Sequence, residues 1–158
     1  MMKADLLARA SSSQHLDASA FVGLTLRELA LFEVESRRPL PASYRELLLF
    51  LGKNDQDVFA EFGTTPGRML SAAAQTREAK AVMAEVGAVL PEDAFVLHVH
   101  LADEVYYLPT RQGADPPVVL WLRDASGESH DPRWRSVSDF ALWVLDHKIE
   151  HWEKHGRR

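Results

Sequence analysis

Two histidines one helical turn apart are the residues with the clearest potential for chemistry. The segment HKIEH, from His147 to His151, matches the HxxEH pattern of inverted zinc proteases. A catalytic zinc also needs a third protein ligand, which such proteases draw from a later segment, whereas seven residues follow His151 here. The simpler interpretation is a half-buried amphipathic stripe, continued by His155, at the border of the core. We therefore predict no metal site, and His147 and His151 are the candidate ligands if one exists.

A second histidine pair, His98 and His100, lies two residues apart in FVLHVHL. On a β-strand this spacing places both side chains on the same face, where they could bind a metal together. The same alternation is typical of any sheet with one exposed face. We therefore do not predict a metal site from this pair alone.

The motifs of the common enzyme classes are missing from the sequence. No cysteine is present, which excludes a thiolate nucleophile and cysteine-based metal sites. There is no GxSxG serine elbow and no GxxxxGK[ST] or GxGxxG loop, and GTTPGR at 63–68 is too short and lacks the lysine to hold a phosphate. We expect no catalytic residue and no cofactor.

The charge of the chain favours a protein partner over nucleic acid or membrane. The formal net charge is −5, and the eighteen Lys and Arg residues form no basic stripe of the kind that binds nucleic acid. An acidic surface complements a basic protein, although the same charge also serves solubility. The sequence shows no secretion signal and no apolar run long enough to span a membrane, so we expect a cytoplasmic protein.

The first half of the chain reads as helices. A short helix is predicted near Lys3 to Ala10, and residues 1–23 as a whole could form a mobile arm. Thr25 and Glu28 form a capping box for a helix that ends near Arg37. The prolines at 39 and 41 separate it from a second helix, 42–51, which Gly52 would close with a positive φ. A third helix is expected from 65 to 86, closed in the same way by Gly87.

The second half reads as strands followed by one helix. Short β-branched and aromatic runs, FVLHVHL, EVYYLPT and PPVVLWLR, are typical of an antiparallel meander. Ser138 would cap a last helix that directs Phe140 and Val144 toward the core. We predict one α+β domain over 1–158, with N-terminal helices, a mainly antiparallel sheet of about four to six strands, and a C-terminal helix packed on it.

The order of these segments resembles the SUKH superfamily, which includes bacterial toxin-immunity proteins and Smi/Knr-type regulators, over about residues 24–145. Leu40, Pro41 and Tyr44 are similar to the family's LPxxY motif, and Gly52 matches a glycine after that helix. The remaining matching positions are His100 at the end of the first strand, Pro117 and Val118 in DPPV, and Ser138 and Phe140 at the start of the last helix.

The resemblance implies a domain without catalytic activity that binds and neutralises a cognate protein toxin, often a nuclease. As contacts for a basic toxin we predict acids in turn-like segments: Asp55, Asp57, Glu61, Asp103 and Glu104. The alternative interpretation is that these acids are ordinary solvated turn residues. Trp134, in DPRWRS, would be either a lid on the core or an anchor for the partner. The alternatives are a regulatory or scaffold domain that binds an endogenous protein, and a metal-dependent hydrolase that uses His147 and His151.

Overall fold

The computed structural model describes residues 2–60, 72–123 and 130–156. Within these ranges the helices are α1 (Met2–Ser11), a 3-10 turn (Ala18–Ala20), α2 (Leu26–Ser36), α3 (Ala42–Leu51), α4 (Ala72–Ala84) and α5 (Val137–His155). The strands are β1 (Ala94–His100), β2 (Glu104–Pro109), β3 (Val118–Leu122) and β4 (His130–Trp134). They form one antiparallel sheet in the order β1-β2-β3-β4. The predicted α+β class and antiparallel meander are confirmed.

The sheet separates two hydrophobic clusters. One face packs against α4, whose Ala79, Val82 and Met83 form one buried cluster with strand residues such as Val96 and Trp121. The opposite face joins α1, α2, α3 and α5 in the larger core, to which Phe95, Leu97, Phe140 and Val144 contribute, among others. Both faces of the strands are therefore apolar along much of their length, as expected for a sheet that is covered on both sides.

The N-terminal segment is part of the core. The predicted short helix is confirmed as α1, but the expectation of a mobile arm over 1–23 is wrong for it, because Met2, Leu6 and Ala10 are buried. Their four-residue spacing forms one apolar stripe, which packs against α5. An ion pair between Arg9 of α1 and Asp146 of α5 lies beside this contact.

The predicted boundaries of α2 and α3 are confirmed. The capping box is present, since the Thr25 hydroxyl accepts from the Glu28 N–H at 3.2 Å and the Glu28 carboxylate accepts from the Thr25 N–H at 2.8 Å. The predicted positive φ of Gly52 is wrong, because its φ is −65°. A glycine is required there for space: a Cβ would lie 2.5 Å from the Leu48 carbonyl oxygen and 2.9 Å from the Leu24 side chain.

The later helices differ from the prediction at their ends. Gly87 has the predicted positive φ of 76°, although α4 ends at Ala84, and the expected start near residue 65 lies outside the described residues. The cap of α5 is Ser136, whose side chain accepts from the Asp139 N–H, and the predicted cap Ser138 is wrong. The Ser138 hydroxyl donates instead to the Asp115 carboxylate at 2.9 Å. This bond links the start of α5 to the DPPV segment that precedes β3.

Candidate partner-binding surface

A cleft of about 210 Å³ opens between α5 and the first two strands. Its lining is mostly polar and aromatic. The residues are Val58, His98, His100, Glu104, Tyr106, Trp143, Val144, His147, Lys148 and His151. The pair His98 and His100 and the pair His147 and His151 therefore lie in one place, together with Glu104.

A second cleft, of about 500 Å³, adjoins the first along α5 and shares Lys148 and His151 with it. Its other lining residues are Asp57, Ala60, Trp152, His155 and Gly156. We call the combined lining of the two clefts the histidine surface, because five of the seven histidines of the chain line it.

The β1–β2 hairpin positions the strand residues of this surface. His100 is the register partner of Glu104, and His98 is that of Tyr106. A β-bulge between Val96 and His98 inserts one extra residue, so that Leu97 enters the core on the same side as His98. The Tyr106 hydroxyl donates to the Glu104 carboxylate at 2.8 Å, which orients that carboxylate within the cleft.

The turn of this hairpin has an unusual backbone. Leu101 and Ala102 have φ values of 50° and 60°, which fall in the left-handed region that glycine and asparagine normally occupy. Leu101 is also 80% exposed. Two residues that carry a Cβ are thus held in a strained turn next to His100 and Glu104.

Helix α5 contributes the other wall of the first cleft. His147 and His151 are one turn apart and exposed. The Trp143 ring stacks on the His147 ring, with centroids 5.4 Å apart and an interplanar angle of 7°. Trp143 is 43% exposed, so a large aromatic face is available to a partner.

Trp134 does not lie on this surface. It is 8% exposed, and its ring packs against Phe140 and Trp143 with centroids 5.0 and 4.9 Å apart. Its burial fits the first of the two roles considered for it, a lid on the core, and leaves little of Trp134 for contact with a partner. The exposed tryptophan is Trp143, which the sequence pattern did not distinguish from core.

Asp55 was also predicted as a surface contact, but it is not at the surface. Its side chain is buried, with 2% exposed, and its two carboxylate oxygens each accept a backbone N–H at 3.0 Å, from Asp57 and Phe59. These bonds shape the segment after α3, in which Gln56 and Asp57 have φ values of 53° and 66°. Asp55 therefore positions Asp57 and Val58, which line the clefts.

The remaining predicted contacts lie in different places. Asp103 is exposed in the hairpin turn, where its carbonyl oxygen accepts the Arg123 N–H at 2.7 Å, but it lines neither cleft. Glu61 lies outside the described residues. Asp57 and Glu104, which are 47 positions apart in the sequence, are the predicted acids that the structure brings onto the histidine surface.

Most positions of the family resemblance are structural. Leu40, Tyr44, Val118 and Phe140 are all buried. The Tyr44 hydroxyl lies deep in the core, and burial raises the pKa of this phenol. His100 is different, because it is exposed and lies in the first cleft.

The described ranges contain no group of three His, Asp or Glu side chains placed to hold a metal ion. The His98 and His100 rings are 5.8 Å apart, and the His151 and His155 rings 4.9 Å. No helix in the described part of the chain is long and apolar enough to cross a membrane. Comparison with protein-family models and with curated proteins finds no match for this chain.

Proposed function

We propose that this chain is a non-catalytic binding domain of bacterial origin that neutralises a cognate protein toxin in the cytoplasm, and that the histidine surface is its contact site. The partner would be a basic protein, such as a nuclease. The resemblance to SUKH immunity proteins suggests this function, and the make-up of one surface supports it.

The observation that carries the proposal is the convergence of Asp57, Glu104 and Trp143. The two carboxylates come from separate segments and can pair with basic groups of a partner. Tryptophan is enriched among the few residues that dominate binding energy, and Trp143 lies at the first cleft with 43% of its surface exposed. Together they provide an aromatic anchor and an acid in the first cleft, and a second acid in the adjoining cleft.

The test is co-purification of the tagged chain with the product of the adjacent gene, or from its native host, at moderate salt, followed by titration of the isolated complex. Trp143→Ala and the pair Asp57→Asn with Glu104→Gln should each weaken binding by at least about tenfold, as expected for central contacts. Glu92→Gln is the matched control, because Glu92 is an exposed acid that lines neither cleft.

Equal affinity of the control and the cleft variants would place the contact elsewhere. Recovery of an endogenous regulator in place of a toxin, with no toxin gene next door, would support the scaffold alternative. Stoichiometric zinc in protein prepared without an affinity tag, together with hydrolytic activity that depends on His147 and His151, would support the hydrolase alternative.

A further inference from the structure

We infer that the histidine surface makes binding of a basic partner sensitive to protons: it holds the partner near neutral pH and releases it in mild acid. The inference rests on the proposed function and adds a regulation to the same site. It is carried by the placement of five histidines around two carboxylates.

The charge of the surface depends on the imidazoles. Among the described residues that line the two clefts, Asp57 and Glu104 are acidic and Lys148 is basic, so their summed charge is −1 while the histidines are neutral. Histidine is the side chain that ordinarily takes up a proton between pH 8 and 5, whereas carboxylates ordinarily stay ionised at pH 5.5. With all five histidines protonated, the summed charge becomes +4.

Three described segments contribute charged or titratable groups to the clefts. The groups from α5 are His147, Lys148, His151 and His155; those from β1 and β2 are His98, His100, Glu104 and Tyr106; and the segment after α3 gives Asp57. The other acids of α5 do not offset the change, since Asp146 pairs with Arg9, and Asp139, Glu150 and Glu153 line neither cleft.

The added charges can act on a partner because they are close to the surface. His100, His147, His151 and His155 are exposed, and His98 is partly exposed. An exposed charge pair changes an equilibrium constant by a factor of about 1.5 to 5, so five new repulsions multiply to about eightfold at the lower limit. Acidification from pH 7.5 to 5.5 should therefore weaken binding of a basic ligand about eightfold or more.

The experiment uses two defined probes, an octa-lysine peptide and an octa-glutamate peptide, each titrated into the isotope-labelled full chain at pH 7.5 and 5.5. Amide and indole resonances in NMR spectra locate the binding site and confirm that the chain is folded at both pH values. We expect octa-lysine to shift the resonances of Asp57, Glu104 and the Trp143 indole at pH 7.5, and octa-glutamate to bind there instead at pH 5.5.

Two variants connect the pH effect to the surface. In the double variant His147→Gln with His151→Gln, the ratio of octa-lysine affinities between the two pH values should fall to about half or less of the wild-type ratio, because two repulsive charges are removed. His130→Gln is the matched control, since His130 lies in β4, outside both clefts, and bonds Tyr107 at 2.9 Å. It should keep the full ratio.

The outcomes separate the inference from the proposed function. Octa-lysine binding at the histidine surface with equal affinity at both pH values, or an unchanged ratio in the double variant, would overturn the proton-sensitive release and leave the binding surface in place. No shifts at this surface with octa-lysine at either pH would overturn the proposed surface, and the inference with it.

Discussion

Removal of the Asp55 carboxylate should destabilise the protein strongly. Most charged residues in turns are solvated and contribute little to stability, but this carboxylate is buried. In Asp55→Ala, the N–H groups of Asp57 and Phe59 lose their acceptors in a site where Asp55 itself is 2% exposed. A hydrogen bond to a charged group contributes about 1.5 kcal/mol or more, so losing two should lower the free energy of unfolding by about 3 kcal/mol.

Urea unfolding followed by circular dichroism measures this change. With a slope of about 2 kcal/mol per M, typical of small proteins, the midpoint should fall by about 1.5 M. Asp55→Asn keeps one acceptor oxygen and should lose roughly half as much. Asp57→Asn is the control, because Asp57 is exposed and asparagine tolerates its positive φ of 66°. An Asp55→Ala midpoint equal to that of wild type, combined with loss of partner binding, would refute the structural role and restore Asp55 as a contact.

Three further results are expected from the same measurement. Trp134→Ala should cost about 3–5 kcal/mol because the side chain is buried, whereas Trp143→Ala should cost clearly less; equal losses would contradict their assigned places. Gly52→Ala should cost about 1–3 kcal/mol, since its Cβ would meet the Leu48 carbonyl at 2.5 Å, and an unchanged midpoint would show that α3 adjusts freely. Hydrogen bonds from Lys53 and Thr25 lower the pKa of Glu28 to about 2, from 4.5, so its stabilising contribution is present above pH 4.5 and is lost as the pH falls toward 2. Glu28→Gln should therefore lose less stability than wild type between pH 5 and 2.5, and parallel losses would argue against the shift.

Local signals made much of the fold predictable from sequence. Thr25 and Glu28 mark a helix start through contacts within one turn, and the prolines at 39 and 41 restrict the backbone just before α3. The same kind of signal failed at the start of α5, where two serines could each cap the helix. Ser136 and Ser138 both precede the apolar run of α5, and the contact of Ser138 with the distant Asp115 gives it a different role.

The candidate surface was only partly predictable, because it depends on tertiary contacts. Asp57, Glu104 and the histidines were identified one by one, but no spacing in the sequence brings α5 beside β1. The exposure of Trp143, which no sequence pattern indicated, has a similar cause. Trp143 directly precedes the buried Val144 on the helix, and a pattern of apolar residues does not decide which side chain at the border of a stripe is covered.

The strained turn of the β1–β2 hairpin has a consequence for sequence variation. Asn-Gly in place of Leu101 and Ala102 suits two successive left-handed positions, so this exchange should stabilise the hairpin. Selection for stability alone would then readily replace these residues. If the exchange raises stability while it weakens binding, the exposed Leu101 side chain has been kept for contact with a partner, and the turn becomes a place where related chains can diverge in specificity without altering the core.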